Sequence, residues 1–499
     1  MNFIDLFAND FKVLMPELYL FAIVLILLSY GVIISTSQKL NFPIIQINVG
    51  WLSFFSMGIV LLLLLSAPMS SMTVLNNLLI VDPFTNFIKI IIIISSMLCV
   101  LMSMSYMENK KVNSFEFFIL ILLSVIGMFC LVSSYDLMAL YMSIELMSLS
   151  FYILASYKRN SEFSGEAGLK YFLLGAFSSG LLLFGMSMIY GFTGLTNFEE
   201  ICKLLTGVNS LMNPVSYNGI LLGIVFISVA LLFKLAAAPF HMWSPDVYEG
   251  SPTPVTAFFS IVPKVALFAL LLRLFFFTFH DFIFFWQQIF IFCALFSMIL
   301  GSIGALYQRK IKRFMVYSGI TNVGYMLIGL ASGITESAFG LLIYLIIYVV
   351  MTIAFFCFVL GTQTLKSSKL NTYIADLTNL GKVNAMAAFS ISIIMFSFLG
   401  LPPLAGFFGK MYLFLAALQA EYFTLAIIGV LSSVIAAFYY IRIIKVMFFS
   451  TSSFYNTYKK LDKNNAIVLS SSLFFIIFFF AYPHPFLMVS HSASLFLCL

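Results

Sequence analysis

LLFKLAAAPFHMWSPDVYEGSPTPVTAFFSIVPK, residues 231–264, carries the pattern that decides the fold. Both of its ends are apolar, yet each holds a lysine, Lys234 and Lys264, with a proline close by at Pro239 and Pro263. Followed outward, the ends extend into apolar runs over 218–240 and 254–277, each long enough to cross about 30 Å of hydrocarbon as a helix. Proline has no N–H, so Pro239 leaves the carbonyl of Leu235, and Pro263 that of Phe259, without its usual helical partner. Unpaired backbone and an ammonium at membrane depth are tolerated only inside protein or beside internal water. The stretch therefore predicts two membrane spans that line a polar interior.

The rest of the chain repeats the apolar theme. Of 499 residues, 62% are hydrophobic and 9% charged, against roughly a quarter charged in a soluble protein. Further apolar runs lie over 18–35, 49–67, 86–106, 115–133, 136–157, 169–191, 284–306, 314–332, 338–361, 385–419, 423–447 and 466–488. With the first two they make about fourteen spans, which predicts an all-α integral membrane protein. The 385–419 run is too long for one straight helix and too short for two full spans. Pro402 and Pro403 lie in its middle, so broken helices are expected at spans 7 and 12. Connections rarely exceed about 25 residues, whereas a soluble catalytic domain needs about 50 to 200.

Several function classes are excluded by what is missing. Cys99, Cys130, Cys202, Cys293, Cys357 and Cys498 form no CxxC pair and have no histidines at ligand spacing, so neither a disulfide framework nor a zinc or iron-sulfur site is indicated. No GxGxxG follows a strand pattern and no GxxxxGK[ST] occurs, so the phosphate-cradling loops of nucleotide sites are absent. The formal charge of +6 sits between spans, where topology rather than nucleic-acid binding accounts for it. The start, MNFIDLFANDFK, has acids where a signal peptide has a basic region, so the first span is expected to be retained.

Charge in the connections alternates. Those after odd-numbered spans hold Lys39, Lys110, Lys111, Lys158, Arg159, Arg309, Lys310, Lys312, Arg313, Lys366, Lys369, Lys382, Lys459, Lys460 and Lys463. Those after even-numbered spans hold Asp82, Asp136, Asp281, Glu336 and Glu421, with Lys203 offset by Glu199 and Glu200. The positive-inside rule then puts the odd connections on the cytoplasmic or matrix side and both termini on the other.

Four spans contain a charge near mid-depth: Glu145 in the fifth, Lys234 in the seventh, Lys264 in the eighth and Lys410 in the twelfth. Each costs about 2.5 to 3.5 kcal/mol to insert, and intramembrane ionisable groups are functional by default. Lysine suits proton carriage because it titrates when buried, whereas arginine keeps its proton. Opening a buried Glu145–Lys234 pair would involve about 3 to 4 kcal/mol. That is comparable to the roughly 2.3 kcal/mol for moving one charge through 100 mV. Lys89 and Arg273 stand near span ends and are expected to snorkel to the interface. Lys170 is open between snorkelling and an interior role. His241 is expected to bond a freed carbonyl, with a proton relay as the alternative. His280, His484 and His491 are expected at the interfaces.

Lys234 lies five residues before its break and Lys410 seven after Pro403, as two halves built alike but inverted would have them. The expected organisation is N-terminal helices over 1–114, a first repeat over 115–277, a second, inverted five-helix repeat over 278–447, and a C-terminal helix over 448–499.

At these residues the chain resembles the subunit 2 family of NADH dehydrogenase, the antiporter-like membrane subunits of respiratory complex I, in the form found in plant and protist mitochondria. The motifs are YDLMALYMSIELMSLSFYILAS (135–156), FSGEAGLKYFLLGAFSSGLLLFGMSMIYG (163–191), the 231–264 stretch and LGLPPLAGFFGKMYLF (399–414). The resemblance implies proton carriage by Glu145, Lys234, Lys264 and Lys410. It also implies an enzyme that moves electrons from NADH to ubiquinone, with FMN, iron-sulfur clusters, NADH and ubiquinone sites on other subunits and no cofactor here. Implied partners are other membrane subunits of that complex, antiporter-like neighbours among them, and lipids. The 59 phenylalanines suit an AT-rich organellar gene, which points to the mitochondrial inner membrane with both termini on the intermembrane-space side. A subunit of a multisubunit Na⁺/H⁺ antiporter and a passive structural subunit are the competing readings. One departure stands out: relatives commonly read SSI-x-H-x-GY where this chain has YSGITNVGY (317–325). Asn322 cannot carry charge, so a relay there must use water, Tyr317 or Tyr325.

Overall fold

The computed structural model describes residues 10–34, 45–67, 71–110, 114–206, 214–363, 372–450, 458 and 460–498. Of the basic connection residues, Lys39, Lys111, Lys366, Lys369 and Lys459 lie outside the described residues. The apolar runs fold as helices because hydrocarbon offers no partner to backbone N–H and C=O, which must then pair within the segment. Among the described residues, twelve helices are long and apolar enough to cross a membrane. In chain order they include α1 (Met15–Ile34), α2 (Gln46–Leu65), α3 (Pro83–Lys110), α4 (Glu116–Ser133), α5 (Leu137–Ala155) and α6 (Glu162–Thr193). A short α7 (Phe198–Leu205) precedes α8 (Pro214–Leu235), and a short α9 (Trp243–Gly250) precedes α10 (Thr253–Leu272). Then follow α11 (Ile283–Tyr307), α12 (Ile311–Ser332) and α13 (Thr335–Gly361).

The broken stretch resolves into α14 (Ala385–Leu399) and α15 (Ala405–Gln419), each 15 residues and so about 22 Å, too short to cross alone. Gly400, at φ +89°, ends the first half, and Pro402 and Pro403 keep the helix from resuming before Ala405. α16 (Phe423–Phe448) is again full length. Two expectations need correction. The seventh run, taken to 240, stops at Leu235, because Ala236 adopts the left-handed region at φ +59°. The last run, taken as one span over 466–488, is two helices, α17 (Lys463–Phe478) and α18 (His484–Cys498), because Pro483 cannot continue the first.

The chain forms two compact units. The first comprises Met1–Lys234, Val262–Trp286 and Ser492–Leu499. Within it α4 packs along α5 and against α1, while α2 packs on α3. One end is closed by β1 (Met72–Val74) paired antiparallel with β2 (Leu79–Val81). Leu79 bridges to Ser134, and Asp136 to Asn197. Asp136 caps α5 by accepting from the Met138 N–H at 2.7 Å, and it also accepts from Thr196 Oγ1 at 2.6 Å. Burial pushes the Tyr135 hydroxyl above the usual phenol range, and the Glu199 charge adds to this, so Tyr135 stays a donor toward Glu199 Oε2 at 3.5 Å.

Lys89 and Arg273 do not snorkel. Lys89 is buried and its Nζ lies 2.6 Å from Glu17 Oε1; Arg273 Nη2 lies 2.5 Å from Asp82 Oδ2, with its guanidinium over the Phe84 ring. Asp82 also caps α3 by accepting from the Thr85 N–H at 2.8 Å. The oppositely charged partners near neighbouring span ends make burial cheaper than reaching for the headgroups. Arg273 opens a π-helical turn, Arg273–Thr278, that ends the eighth span.

The second unit comprises Leu235–Ile261 and Gln287–His491. Its centre is α13, against which α15 and α17 pack. Gly406 of α15 sits so close to α14 that a Cβ there would fall 1.8 Å from the Ser397 carbonyl oxygen. The basic run after α11 is pinned to α9: Lys310 pairs with Glu249, Arg313 with Glu249 and with Asp246 at 2.8 Å, and Lys312 Nζ donates to the Ser251 carbonyl at 2.6 Å.

Replacing Asp82 with Ala leaves the Arg273 guanidinium buried without its counter-ion, so about 3 to 5 kcal/mol of stability should be lost. Lys203→Ala, at an exposed pair with Glu199, should be near neutral. Thermal unfolding in detergent, with both variants side by side, checks the contrast.

Candidate functional site

Lys410 lies on the sixth residue of α15, and its side chain folds back across the break. Its Nζ donates to the carbonyls of Phe398 at 2.8 Å and Leu399 at 2.9 Å. These are the last carbonyls of α14, which Gly400 and the two prolines leave without N–H partners. The ammonium thus occupies the negative end of a half-helix dipole. It also lies 5.0 Å from the centre of the Tyr325 ring, on its face. Only 6% of Lys410 is exposed. A charge so held needs no carboxylate.

A cluster of hydroxyls adjoins it. Tyr325 shares a hydrogen bond with Ser432 Oγ at 3.1 Å, and its ring meets that of Tyr344 edge to face. The Tyr344 hydroxyl donates to Asn322 Oδ1 at 3.0 Å, while Asn322 Nδ2 is buried without a hydrogen-bond partner. The hydroxyl bonded to the asparagine is therefore that of Tyr344, which nothing in the sequence marks, since α13 carries no charge at mid-span. Tyr325 belongs to the same cluster, whereas Tyr317 faces His241, with ring centres 6.4 Å apart. His241 Nδ1 is buried and has no hydrogen-bond partner.

Lys234 stands in the last turn of α8, again at the carbonyl end of a helix. Its Nζ is buried without a hydrogen-bond partner, and the same holds for Glu145 Oε1. Glu145 lies mid-way along α5, with Ser148 Oγ 3.3 Å from its Oε2. Its charge reaches Lys234, but the two side chains make no ion-pair contact within 4 Å among the described residues. The pair is spaced rather than closed. Along the same helix Met138, Met142, Leu146 and Leu149 are exposed, so Glu145 sits at the edge of an outward apolar face.

Lys264 follows Pro263 inside α10 and is 6% exposed, in a span whose most apolar window is wholly buried. Pro263 deprives the Phe259 carbonyl of its helical donor, and the Tyr248 hydroxyl takes it over at 3.2 Å. The next carbonyl, of Ser260, accepts from Tyr348, also at 3.2 Å. Glu145, Lys234 and Lys264 belong to the first unit and Lys410 to the second. Lys170 is a surface residue, paired with Glu166 one turn earlier at 2.6 Å. Among the described residues no three His, Cys, Asp or Glu side chains gather as a metal ion would require.

Residues 134–436 match the family model described as NADH:quinone oxidoreductase/Mrp antiporter, transmembrane. The chain is 50% identical to NADH-ubiquinone oxidoreductase chain 2 of Marchantia polymorpha, over 99% of this chain and 100% of that one. Among solved structures it is similar to a chain of respiratory complex I from Thermus thermophilus with bound aureothin, with a TM-score of 0.77 and 26% identity over 95% of this chain and 98% of that one. It shares its fold with a chain of the Mrp complex from Dietzia sp., with a TM-score of 0.81 and 17% identity over 97% and 98% of the two.

Tyr248→Phe removes the donor to the Phe259 carbonyl beside Pro263 and should cost about 1 to 3 kcal/mol. Ser433→Ala, which deletes an exposed hydroxyl bonded only to its own helix, should be near neutral. Unfolding midpoints in detergent separate the two outcomes.

Proposed function

Because the chain belongs to the NADH:quinone oxidoreductase/Mrp antiporter membrane family, as a relative of chain 2 of NADH-ubiquinone oxidoreductase, we propose that Glu145, Lys234, Lys264 and Lys410 are its proton-carrying groups. The chain is a proton-translocating membrane subunit of NADH:ubiquinone oxidoreductase, a multi-pass protein of the mitochondrial inner membrane that works beside other membrane subunits. The redox cofactors of that complex lie in other subunits. In our reading this chain carries none, both termini face the intermembrane space, antiporter-like subunits and lipids are its neighbours, and 115–277 and 278–447 are its inverted repeats.

The observation that carries the assignment is where the ionisable atoms stand. Lys234 Nζ and Glu145 Oε1 are buried with no hydrogen-bond partner, a cost of several kcal/mol that a purely structural pair would remove by closing. Lys410 is held by carbonyls that bind the ammonium more strongly than the neutral amine left once a proton departs. Tyr344 can pass a proton without titrating, since a hydroxyl accepts on one side as it donates on the other. Each group can thus take and give up a proton through small movements, and internal water would bridge the spaces between them.

In the assembled complex, Lys234→Met and Glu145→Gln should each lower the protons moved per electron, and turnover should fall with it. Unchanged stoichiometry and turnover would support the passive structural reading instead. The family description, which includes the Mrp antiporter, supports an antiporter subunit as the second reading. Co-purification with flavin and iron-sulfur proteins supports the complex I assignment, and sodium flux without NADH oxidation would refute it.

A further inference from the structure

A cavity of about 480 Å³ opens at the end of the second unit where α11 and α16 finish. Its floor is two connections laid antiparallel: the Ile374 N–H donates to the Arg309 carbonyl at 2.9 Å, and the Ile311 N–H to that of Thr372 at 3.0 Å. Two guanidinium groups line it, Arg309 from the loop after α11 and Arg442 from the last turns of α16. Neither forms an ion pair among the described residues. Arg442 spends one of its five donors on the Leu306 carbonyl at 2.9 Å. The single carboxylate in the lining, Asp376, is already engaged, its Oδ2 accepting from the backbone N–H groups of Thr372 at 3.0 Å and Tyr373 at 2.9 Å. Hydroxyls of Thr378 and Ser450 complete the wall.

The pocket is therefore net positive and shaped by fixed backbone. It also continues into an apolar surface. Val446, which lines it, stands on α16, and the outward flank of that helix is apolar up to its last turn: Val434, Phe438 and Ile441 are exposed, followed on the same stripe by exposed Lys445. A basic pocket at a helix end above an unpartnered apolar flank matches the two parts of one molecule, a phosphate headgroup and its acyl chains. Arginine is the side chain suited to this, because its planar fork pairs with phosphate oxygens in a bidentate way.

We propose that this pocket binds the phosphodiester of an anionic phospholipid, bridged between Arg309 and Arg442, with the acyl chains lying along the exposed face of α16. The shared chemistry with a free phosphate ends at the headgroup; the apolar flank distinguishes the two.

The test uses the whole complex, purified in detergent and stripped of lipid. A phosphatidylglycerol carrying a photoactivatable group near its phosphate is added in mixed micelles, and the labelled residues are mapped. Saturable labelling at 373–378 or 442–450 is expected, displaced by unlabelled phosphatidylglycerol and not by phosphatidylcholine. Arg309 is exposed and makes no ion pair among the described residues, so Arg309→Gln should assemble normally and weaken this labelling about tenfold, the worth of one charge-assisted contact. Arg442→Lys, which keeps the charge but loses the fork, should weaken it less. Labelling elsewhere only, equal displacement by phosphatidylcholine, or an Arg309→Gln complex labelled as well as the unaltered one would overturn the proposal. Displacement by millimolar inorganic phosphate as effective as by the lipid would assign the pocket to a free anion instead.

Discussion

A lysine ammonium set against the carbonyl end of an interrupted helix is the interaction on which the rest of this molecule depends. In hydrocarbon, both the loose carbonyls of a broken helix and an isolated cation are costly, and each is the remedy for the other. Lys410 makes this explicit, bonding the last two carbonyls of α14 from the far side of the break. Lys234 repeats the placement on the last turn of its own helix, without the closing hydrogen bond. The prolines are therefore part of the same device as the lysines. Without the break there would be no carbonyls to receive the cation, and without the cation the break would not be stable at that depth.

Around this device the protein separates charges held in closed pairs from charges that are not. Glu17 with Lys89, and Asp82 with Arg273, are closed contacts, tightly buried near helix ends. Lys310 and Arg313 with Asp246 and Glu249 play the same part at the surface, fixing the short helix that follows the first break. The mid-span groups differ in kind. Glu145 and Lys234 feel each other but stop short of contact, and Lys410 rests on carbonyls rather than a carboxylate. Closed pairs resist a proton's departure; open ones permit it.

Where prolines remove a donor, the structure supplies one from a neighbouring element. Tyr248 serves the Phe259 carbonyl, and Tyr348 the carbonyl beside it. The same residue type, through Tyr325 and Tyr344, lines the region near Lys410 and Asn322. Tyrosine is well suited to both tasks: its ring fills apolar space while its hydroxyl meets one polar atom. Asn322 is thus bonded to one of these hydroxyls.

The sequence by itself determined the membrane class, the positions of the apolar runs, the break at Pro402–Pro403 and the four mid-span charges. These follow from composition and chain-local rules, which hold wherever the segment lands: hydrocarbon demands helices, and proline interrupts them. The same local logic foresaw that the Phe259 carbonyl would need a partner. It did not foresee Tyr248 as that partner, nor Tyr344 at Asn322, because hydrogen bonds between elements depend on which helix faces which. The helix end at Leu235, set by the left-handed Ala236, was equally beyond a proline count. Lys89 and Arg273 show the limit most plainly. A basic residue near a span end can reach the headgroups or an acid on another helix, and only the tertiary packing, by bringing Glu17 and Asp82 within bonding distance, chose the second.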